Sequence, residues 1–139
     1  MAGYSETPLA RKLGIKENQR IALVNAPKNF QEELGSLPAG AVVVAGLQSS
    51  LDLILFFAGS QSELLKNFAR LAARLVPNGM LWVAWPKKSS GIKTELSFEV
   101  VQRVGLEEGL VDTKVCAVND VWSGLRFVIR VKDRPPSIS

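Results

Sequence analysis

Pro77-Asn78-Gly79-Met80-Leu81-Trp82-Val83-Ala84-Trp85-Pro86-Lys87-Lys88-Ser89-Ser90-Gly91 is the strongest structural signal in this sequence. The first three residues predict a turn, and the apolar run Met80–Trp85 predicts a strand that Pro86 ends. A run that is apolar on both faces is typical of a parallel sheet covered by helices on both sides. Because ligands of such sheets bind at the carboxyl ends of the strands, we expect a site beside the cationic loop that follows.

The segments around this strand alternate between strand and helix patterns. A helix ending at Gly14 comes first, with Thr7 as its cap and Pro8 at its first position. A short helix then carries Phe30 and Leu34. The capping box Ser60-Gln61-Ser62-Glu63 opens the longest helix, about 61–76, and Ser97 or Thr94 caps a last helix that ends near Gly109. The other predicted strands are 21–25, 41–45, 53–57, 111–118 and 125–131, the last with Leu125, Phe127, Ile129 and Val131 on one face.

This order predicts an α/β fold of three layers, Rossmann-like, with a mainly parallel sheet of about six strands. The last two strands are close enough to form a C-terminal antiparallel hairpin. Only about seven residues, Gly46 to Asp52, separate the second and third strands, too few for a helical crossover. Either these two strands are antiparallel, or an extended segment carries the chain back along the sheet. We favour the second, with strand 41–45 at an edge, in one domain of residues 1–134 followed by a flexible tail, 135–139.

Composition narrows the chemistry. The chain has 139 residues, a net charge of +4 and one cysteine, Cys116, but no histidine. The lack of histidine removes the usual activation of Ser and Cys nucleophiles and most zinc sites. No apolar run approaches the roughly 20 residues that span a bilayer, and the N-terminus does not have the features of a signal peptide. We therefore expect a cytoplasmic protein that binds no metal and has no membrane association.

Two stretches resemble the S-adenosylmethionine-dependent methyltransferases: residues 13–23 resemble the approach to their first strand, and residues 75–83 the approach to their fifth. Nearly the whole chain also resembles a family of short bacterial proteins, the domain of unknown function 3052. That resemblance rests on Gly3-Tyr4-Ser5, Thr7-Pro8-Leu9, Lys12-Leu13-Gly14-Ile15, Trp85-Pro86-Lys87-Lys88, Gly109-Leu110-Val111-Asp112 and Trp122-Ser123-Gly124. The first resemblance implies a methyltransferase-like fold, and the second implies no activity.

The sequence departs from the methyltransferases where they hold their cofactor. Their first strand leads into an acid and a glycine-rich turn, whereas here it continues Val24-Asn25-Ala26-Pro27-Lys28. Their second strand ends in an acid that holds the ribose, whereas the corresponding strand here ends Ala45-Gly46-Leu47-Gln48. Without these two features the usual pose of S-adenosylmethionine is not expected. We predict no cofactor.

The predicted ligand site gathers residues from three loops at the carboxyl edge. A helix that follows the loop would add positive potential for an anion, whereas the alternative is a solvated connection. The two tryptophans could stack on a planar ligand, anchor a protein partner or seal the core, and the asparagine could instead cap the next helix. The site residues are Asn25, Lys28, Trp85, Lys87, Lys88, Ser89, Ser90, Lys93, Trp122 and Ser123.

Other polar groups suggest less. Asp112 and Asp120 are predicted to be solvated turn residues, and Cys116 a small buried hydrophobe. The helix ridge of Lys66, Arg70 and Arg74 could bind phosphate backbone together with Arg126 and Arg130 on the last strand, but a solvated face is the ordinary interpretation.

We therefore favour a non-catalytic binding or interaction module over an enzyme. Its partner would be a small anionic ligand or another protein, held at the carboxyl ends of the strands. The alternative is an enzyme that uses a nucleotide-like cofactor in an altered pose. A third reading, a nucleic-acid-associated protein, is the least favoured because no dense cluster of Lys and Arg is present. The sequence does not predict an oligomeric state.

Overall fold

The structure, a computed structural model, describes residues 8–135. Three features of the sequence analysis lie outside this range: the motif Gly3-Tyr4-Ser5, the predicted helix cap Thr7, and the predicted tail beyond Pro135. The described strands are β1 (Arg20–Val24), β2 (Val42–Val43), β3 (Leu51–Phe57), β4 (Leu75–Pro86), β5 (Leu110–Ala117) and β6 (Trp122–Ile129). The α-helices are α1 (Leu9–Leu13), α2 (Phe30–Leu34), α3 (Gln61–Ala72) and α4 (Phe98–Glu107).

The six strands form one sheet in the order β2-β1-β3-β4-β6-β5. The first four of these are parallel to one another, whereas β6 is antiparallel to both β4 and β5. The predicted mainly parallel sheet with a C-terminal antiparallel hairpin is therefore confirmed. Among residues 8–135 the longest helix has 12 residues, so none could cross a membrane.

The strand β4 lies in the interior of the sheet, between β3 and β6. Every residue from Leu81 to Pro86 is buried, which confirms the prediction of a strand covered on both faces. Leu81, Val83 and Trp85 point toward α3 and α4, and Trp82 and Ala84 point toward α1 and α2. Successive side chains of a strand alternate between faces, so one apolar segment contributes to both layers of the core.

The predicted turn at Pro77-Asn78-Gly79 is wrong. Leu51 pairs with Leu75 and Leu53 pairs with Met80, so five steps along β4 match two along β3. The extra residues form a bulge within the strand rather than a turn before it. Gly79 is buried there, and a Cβ atom would lie 3.1 Å from the carbonyl oxygens of Leu51 and Val76.

An extended segment links β2 to β3, as favoured from the sequence. Both strands are parallel to β1 and lie on opposite sides of it, with β2 at the edge. The second strand is shorter than predicted because the chain leaves the sheet after Val43. Val44 and Leu47 then pack against the core beneath α3 and α4, and the Gln48 side-chain amide donates to the Ala45 carbonyl at 3.0 Å.

The helices divide between the two faces of the sheet. The face covered by α3 and α4, here the α3 face, buries Leu64, Phe68 and Val101. The opposite face, here the α1 face, buries Leu13 and Phe30. Burying apolar residues on both faces gives the predicted three layers, helix, sheet and helix.

The ends of the helices follow local side-chain chemistry. The Ser60 hydroxyl accepts from the Glu63 N–H at 3.1 Å, and the Glu63 carboxylate accepts from the Gly59 N–H at 3.0 Å. This confirms the capping box, although α3 ends at Ala72 because the residues from Leu75 onward pair with β3.

The other predicted helix ends and the last strand need two corrections. Pro8 immediately precedes α1 instead of starting it. Of the two caps that the sequence offered for α4, the structure has Ser97. Gly14 ends α1 in the left-handed conformation, as predicted, with φ 88°. Val131 was expected to share one face of the last strand with Leu125, Phe127 and Ile129. However, β6 ends at Ile129, and Val131 is 76% exposed.

Candidate functional site

The loops that follow β1, β3 and β4 share the carboxyl edge of the sheet because these strands are parallel. In register, Val24 lies beside Phe56, and Phe56 lies beside Val83. Beyond that level β4 continues for three residues, from Ala84 to Pro86, whereas β1 has ended. At about 3.3 Å per residue, β4 delivers Lys87 about 10 Å farther along the strand direction than β1 delivers Asn25.

The cationic loop after β4 is held by its own hydrogen bonds. Residues 88–90 form a 3₁₀ turn, Ser90 Oγ donates to the Lys87 carbonyl at 2.6 Å, and Gly91 is left-handed with φ 80°. The Lys87 N–H donates to the Val121 carbonyl at 2.7 Å, which ties the loop to the β5–β6 turn. The Lys88, Ser89 and Lys93 side chains are exposed, and that of Lys87 is half-buried. The loop therefore presents lysines from a fixed backbone, while the Ser90 hydroxyl is already engaged.

The sequence suggested that a helix follows this loop directly, but the structure shows that it does not. The next helix, α4, begins at Phe98, and the Ser97 hydroxyl already accepts from the Val100 N–H at 3.3 Å. Thr94 lies between loop and helix; its hydroxyl donates to the Gly59 carbonyl at 2.8 Å. The lysines therefore supply the positive charge of this loop without the N-terminus of α4.

The two predicted tryptophans are packed into the protein. Trp85 is only 6% exposed and lies in the core of the α3 face, so its ring is not open to a ligand. Trp122 is half-buried and meets Phe57 edge to face at 5.1 Å between ring centroids. Phe57 in turn meets Phe30 at 4.9 Å. These three rings, Phe30, Phe57 and Trp122, form an aromatic row that fills the α1 face near the carboxyl edge.

Ser123 lies within the sheet, opposite Trp85 on β4 and Ala117 on β5. It is half-buried. Its neighbourhood is therefore the strand pairing of the hairpin and not the lysine loop.

A cavity of about 560 Å³ opens beside the turn after β1. Asn25 and Asn29 both have left-handed backbone angles, with φ 57° and 67°, and asparagine is the residue other than glycine that best tolerates them. The prediction that Asn25 caps the next helix is wrong, because Asn29 occupies the cap position of α2. Lys28 is exposed and is not among the lining residues, which are Leu23, Asn25, Ala26, Pro27, Asn29, Phe30, Gln31 and Glu32.

A contact that sequence reasoning missed joins the hairpin loop to α2. The Asn119 side-chain amide donates to Glu33 Oε1 at 2.8 Å, and its oxygen accepts from the Val121 and Trp122 N–H groups at 2.9 Å. The bonds from Asn119 to the backbone of its own turn could have been predicted, since asparagine side chains in turns often bond the backbone two residues on. Its partner on α2 could not be inferred. The contact holds the hairpin loop over the aromatic row.

The remaining candidate groups do not converge. Asp112 accepts from the Gln102 amide of α4 at 3.2 Å, and Asp120 is exposed. Burial raises the pKa of the Cys116 thiol, against the lowering influence of Lys12, Lys114 and Arg126. Within residues 8–135 no polar side chain is fully buried, and no three Cys, Asp or Glu side chains gather as metal ligands.

The two cationic groups that might have formed one nucleic-acid surface lie on opposite sides of the molecule. Lys66 and Arg70 are on α3, over the α3 face. Arg126 pairs across the strands with Trp82, whose ring belongs to the α1 face. These residues therefore do not form the joint surface that was considered as the alternative to solvated faces.

Solved structures share this architecture at low sequence identity. The chain is similar to an S-adenosylmethionine-dependent methyltransferase from Aquifex aeolicus, with 15% identity, a TM-score of 0.59 and 86% of each chain covered. It is similar to a ribosomal protein L11 methylase from Lactobacillus delbrueckii, with 12% identity, a TM-score of 0.57 and coverage of 87% of this chain and 74% of that one. It is also similar to a magnesium protoporphyrin IX methyltransferase from Synechocystis with bound S-adenosylhomocysteine, with 9% identity, a TM-score of 0.55 and coverage of 87% and 78%.

The chain has a methyltransferase-like fold. At these identities the similarity shows the fold alone. No family model and no curated protein matches the chain, so the resemblance to the domain of unknown function 3052 is not confirmed. Within the methyltransferase-like fold, the turn after β1 contains no glycine from Asn25 to Asn29, and the segment after β2 contains no acid from Val44 to Gln48.

Proposed function

We propose that this chain is a non-catalytic binding module that holds a small anionic ligand at the carboxyl edge of its sheet. The observation that carries the proposal is the cationic loop. Lys87 and Lys88 belong to a self-bonded turn, and Lys93 follows it. No acidic residue occurs from Pro86 to Thr94. Anions are bound most strongly by charged donors on a backbone that need not reorganise. A protein partner with an acidic segment is the alternative ligand for the same loop.

Three features favour binding over catalysis. The turn after β1 lacks the glycines that let a backbone approach a cofactor closely. The aromatic row fills the α1 face near the same edge. The two candidate carboxylates have no acid–base partner among their described contacts, since Asp112 accepts from the Gln102 amide and Asp120 is exposed. We further infer a cytoplasmic bacterial protein of the family of unknown function that its motifs resemble.

The proposal is tested by replacing two loop lysines, the half-buried Lys87 and the exposed Lys88, by alanine in the full chain. Binding of S-adenosylmethionine, S-adenosylhomocysteine, ATP and GTP is measured by isothermal titration and thermal shift. A hydrogen bond to a charged group contributes about 1.5–3 kcal/mol, so losing two should weaken binding of the responding ligand about 100-fold or more. The melting temperature without ligand should hardly change, since these side chains are at the surface.

The matched control is Lys66→Ala with Arg70→Ala, two exposed cations on α3. This variant removes the same charge from the exposed side of α3 and should bind like the wild type. An unchanged ligand response in the Lys87/Lys88 variant would mean that the loop is only a solvated connection. An equal loss in both variants would point to net charge rather than to this site.

The second candidate is an enzyme that uses a nucleotide-like cofactor in an altered pose. It is favoured by the cavity of about 560 Å³ at the end of β1, a size within the range of ligand pockets. Micromolar binding of S-adenosylmethionine that shifts the amide signals of Asn25 and Asn29 in an NMR titration would support it. Absence of binding at millimolar concentration would reject it.

A further inference from the structure

A cationic cavity lies on the α1 face, far from the lysine loop. It has a volume of about 360 Å³ and opens near the amino end of β4, where Met80 pairs with Val128. Met80 precedes Lys87 by seven residues of extended strand, about 23 Å. The lining residues are Gly14, Lys16, Gln19, Asn78, Met80, Thr113, Arg126 and Val128.

Arg126 is held in place at this cavity by three neighbours. Its Nε–H donates to Thr113 Oγ1 at 2.8 Å, Nη1 lies 3.7 Å from Met80 Sδ, and the guanidinium carbon lies 5.8 Å from the centre of the Trp82 ring. Trp82 is itself fixed, because its indole N–H donates to the buried Leu13 carbonyl at 2.8 Å. A guanidinium has five N–H donors. Two are engaged with Thr113 and Met80, so three are left within the described part of the chain.

The charge around this cavity has one sign. Two of the lining side chains, Lys16 and Arg126, are cationic, and none is acidic. Lys114 pairs with Arg126 across the strands, and its ammonium donates to the Lys12 carbonyl at 3.4 Å. The Lys12 ammonium lies farther along β5, where it donates to the Ala117 carbonyl at 2.9 Å. Cys116 lies on the neighbouring strand β5. Burial raises the pKa of its thiol, and the positive charges of Lys12, Lys114 and Arg126 partly oppose that rise. Positive charge therefore lines the cavity and continues onto β5 at Lys114.

The other lining groups suit an oxyanion with an attached organic part. Gln19 Oε1 accepts from the Lys16 N–H at 2.9 Å, so the amide N–H groups of Gln19 remain as donors. Asn78 contributes a second side-chain amide, while Met80 and Val128 supply an apolar wall. Arginine is suited to the geometry of a phosphate because its planar fork donates two parallel hydrogen bonds.

We propose that this cavity binds a phosphate group, either free or carried by a small molecule. Arg126 contacts the phosphate oxygens through its unengaged N–H donors, and Lys16 neutralises the remaining charge from the loop between α1 and β1. The site is separate from the proposed carboxyl-edge site and depends on none of its residues.

The test is isothermal titration of the full chain with inorganic phosphate, ribose 5-phosphate and unphosphorylated ribose, at constant ionic strength set with chloride. The variants are Arg126→Gln and Lys16→Gln, with Lys66→Gln on α3 and the Lys87/Lys88 alanine variant as controls. We expect the phosphorylated probes to bind and ribose not to bind. Arg126→Gln should weaken binding at least 30-fold and Lys16→Gln about tenfold, whereas both controls should leave it unchanged.

Lys16→Gln keeps the proposal falsifiable should Arg126→Gln fail to fold, because Lys16 is exposed and its side chain is not part of the core. Binding of ribose 5-phosphate above that of inorganic phosphate would identify a phosphorylated metabolite as the ligand, and the reverse order would identify free phosphate. No binding of either probe at millimolar concentration would overturn the proposal. So would a Lys16→Gln variant with wild-type affinity, or an equal loss in the Lys66→Gln control.

Discussion

Gly105 lies in the middle of α4 and is buried against Phe127 of β6. A Cβ atom at this position would lie closer than 3.0 Å to three carbons of the Phe127 ring, the farthest of them at 2.6 Å. Carbon atoms pack at about 3.5–4.0 Å, so the ring would have to move by about 1 Å or more. It has little freedom to do so, since it is fully buried and meets Phe68 edge to face at 5.2 Å.

Replacing Gly105 by Ala should therefore destabilise the protein, although alanine favours helices. Alanine gains about 1 kcal/mol over glycine in a helix interior. Overpacking a core costs about 1–3 kcal/mol, and a displacement of this size belongs at the upper end. We expect a net loss of about 2 kcal/mol in the free energy of unfolding, or a fall of about 8 °C in Tm. Urea unfolding followed by the fluorescence of Trp82 and Trp85, both buried, measures it directly.

A double-mutant cycle with Phe127→Leu decides whether the ring is the cause. Removing the ring leaves space for the new methyl group, so in the Phe127→Leu background Gly105→Ala should cost nothing or stabilise through helix propensity. The coupling between the two substitutions should reach about 2 kcal/mol, within the range for residues in contact. A Gly105→Ala variant as stable as the wild type, or an equal cost in both backgrounds, would refute the reasoning.

Two further predictions concern the α1 face. Trp82→Phe removes the donor of the bond to the Leu13 carbonyl and should cost about 2–4 kcal/mol, from the unpaired carbonyl and the lost volume; a cost below 1 kcal/mol in urea unfolding would contradict it. Because burial raises the pKa of the Cys116 thiol, its rate of reaction with a disulfide reagent should rise at a higher pH in the folded protein than in the urea-unfolded chain. At neutral pH the Cys116 thiol is protonated in both the folded and the unfolded protein. As the pH rises past the ordinary thiol value, the unfolded chain ionises first, so stability should fall, and less so in Cys116→Ala. An inflection at or below that of the unfolded chain would contradict this assignment.

The fold was largely predictable because its signals are local or depend on length. The apolar run of β4 predicts a buried strand from composition alone. The short link between β2 and β3 excludes a helical crossover and leaves two arrangements, of which the structure has the favoured extended return. The Ser60–Glu63 pair specifies its helix end through hydrogen bonds within four residues. Each of these inferences uses information that lies within a few positions of the sequence.

The details that failed depend on contacts distant in sequence. Pro77, Asn78 and Gly79 are residues typical of turns. They nevertheless lie within β4, because Leu51 pairs with Leu75 before them and Leu53 pairs with Met80 after them. Trp85 and Trp122 are as compatible with a ligand as with a core, and only the rings of Phe30 and Phe57 determine where Trp122 lies. Arg126 was attributed to a solvated face, because no sequence pattern shows that Thr113, Met80 and Trp82 surround it.

The uneven lengths of β1 and β4 separate the two halves of the predicted carboxyl-edge site. In an open α/β sheet the ligand crevice lies where the strand order reverses, here between β1 and β3. The exit of β4 rises about 10 Å beyond that of β1, and β3 lies between them. A ligand small enough to be held by Lys87 and Lys88 would therefore not reach the cavity beside Asn25. The proposed binding of an anion at the lysine loop therefore does not depend on the turn after β1.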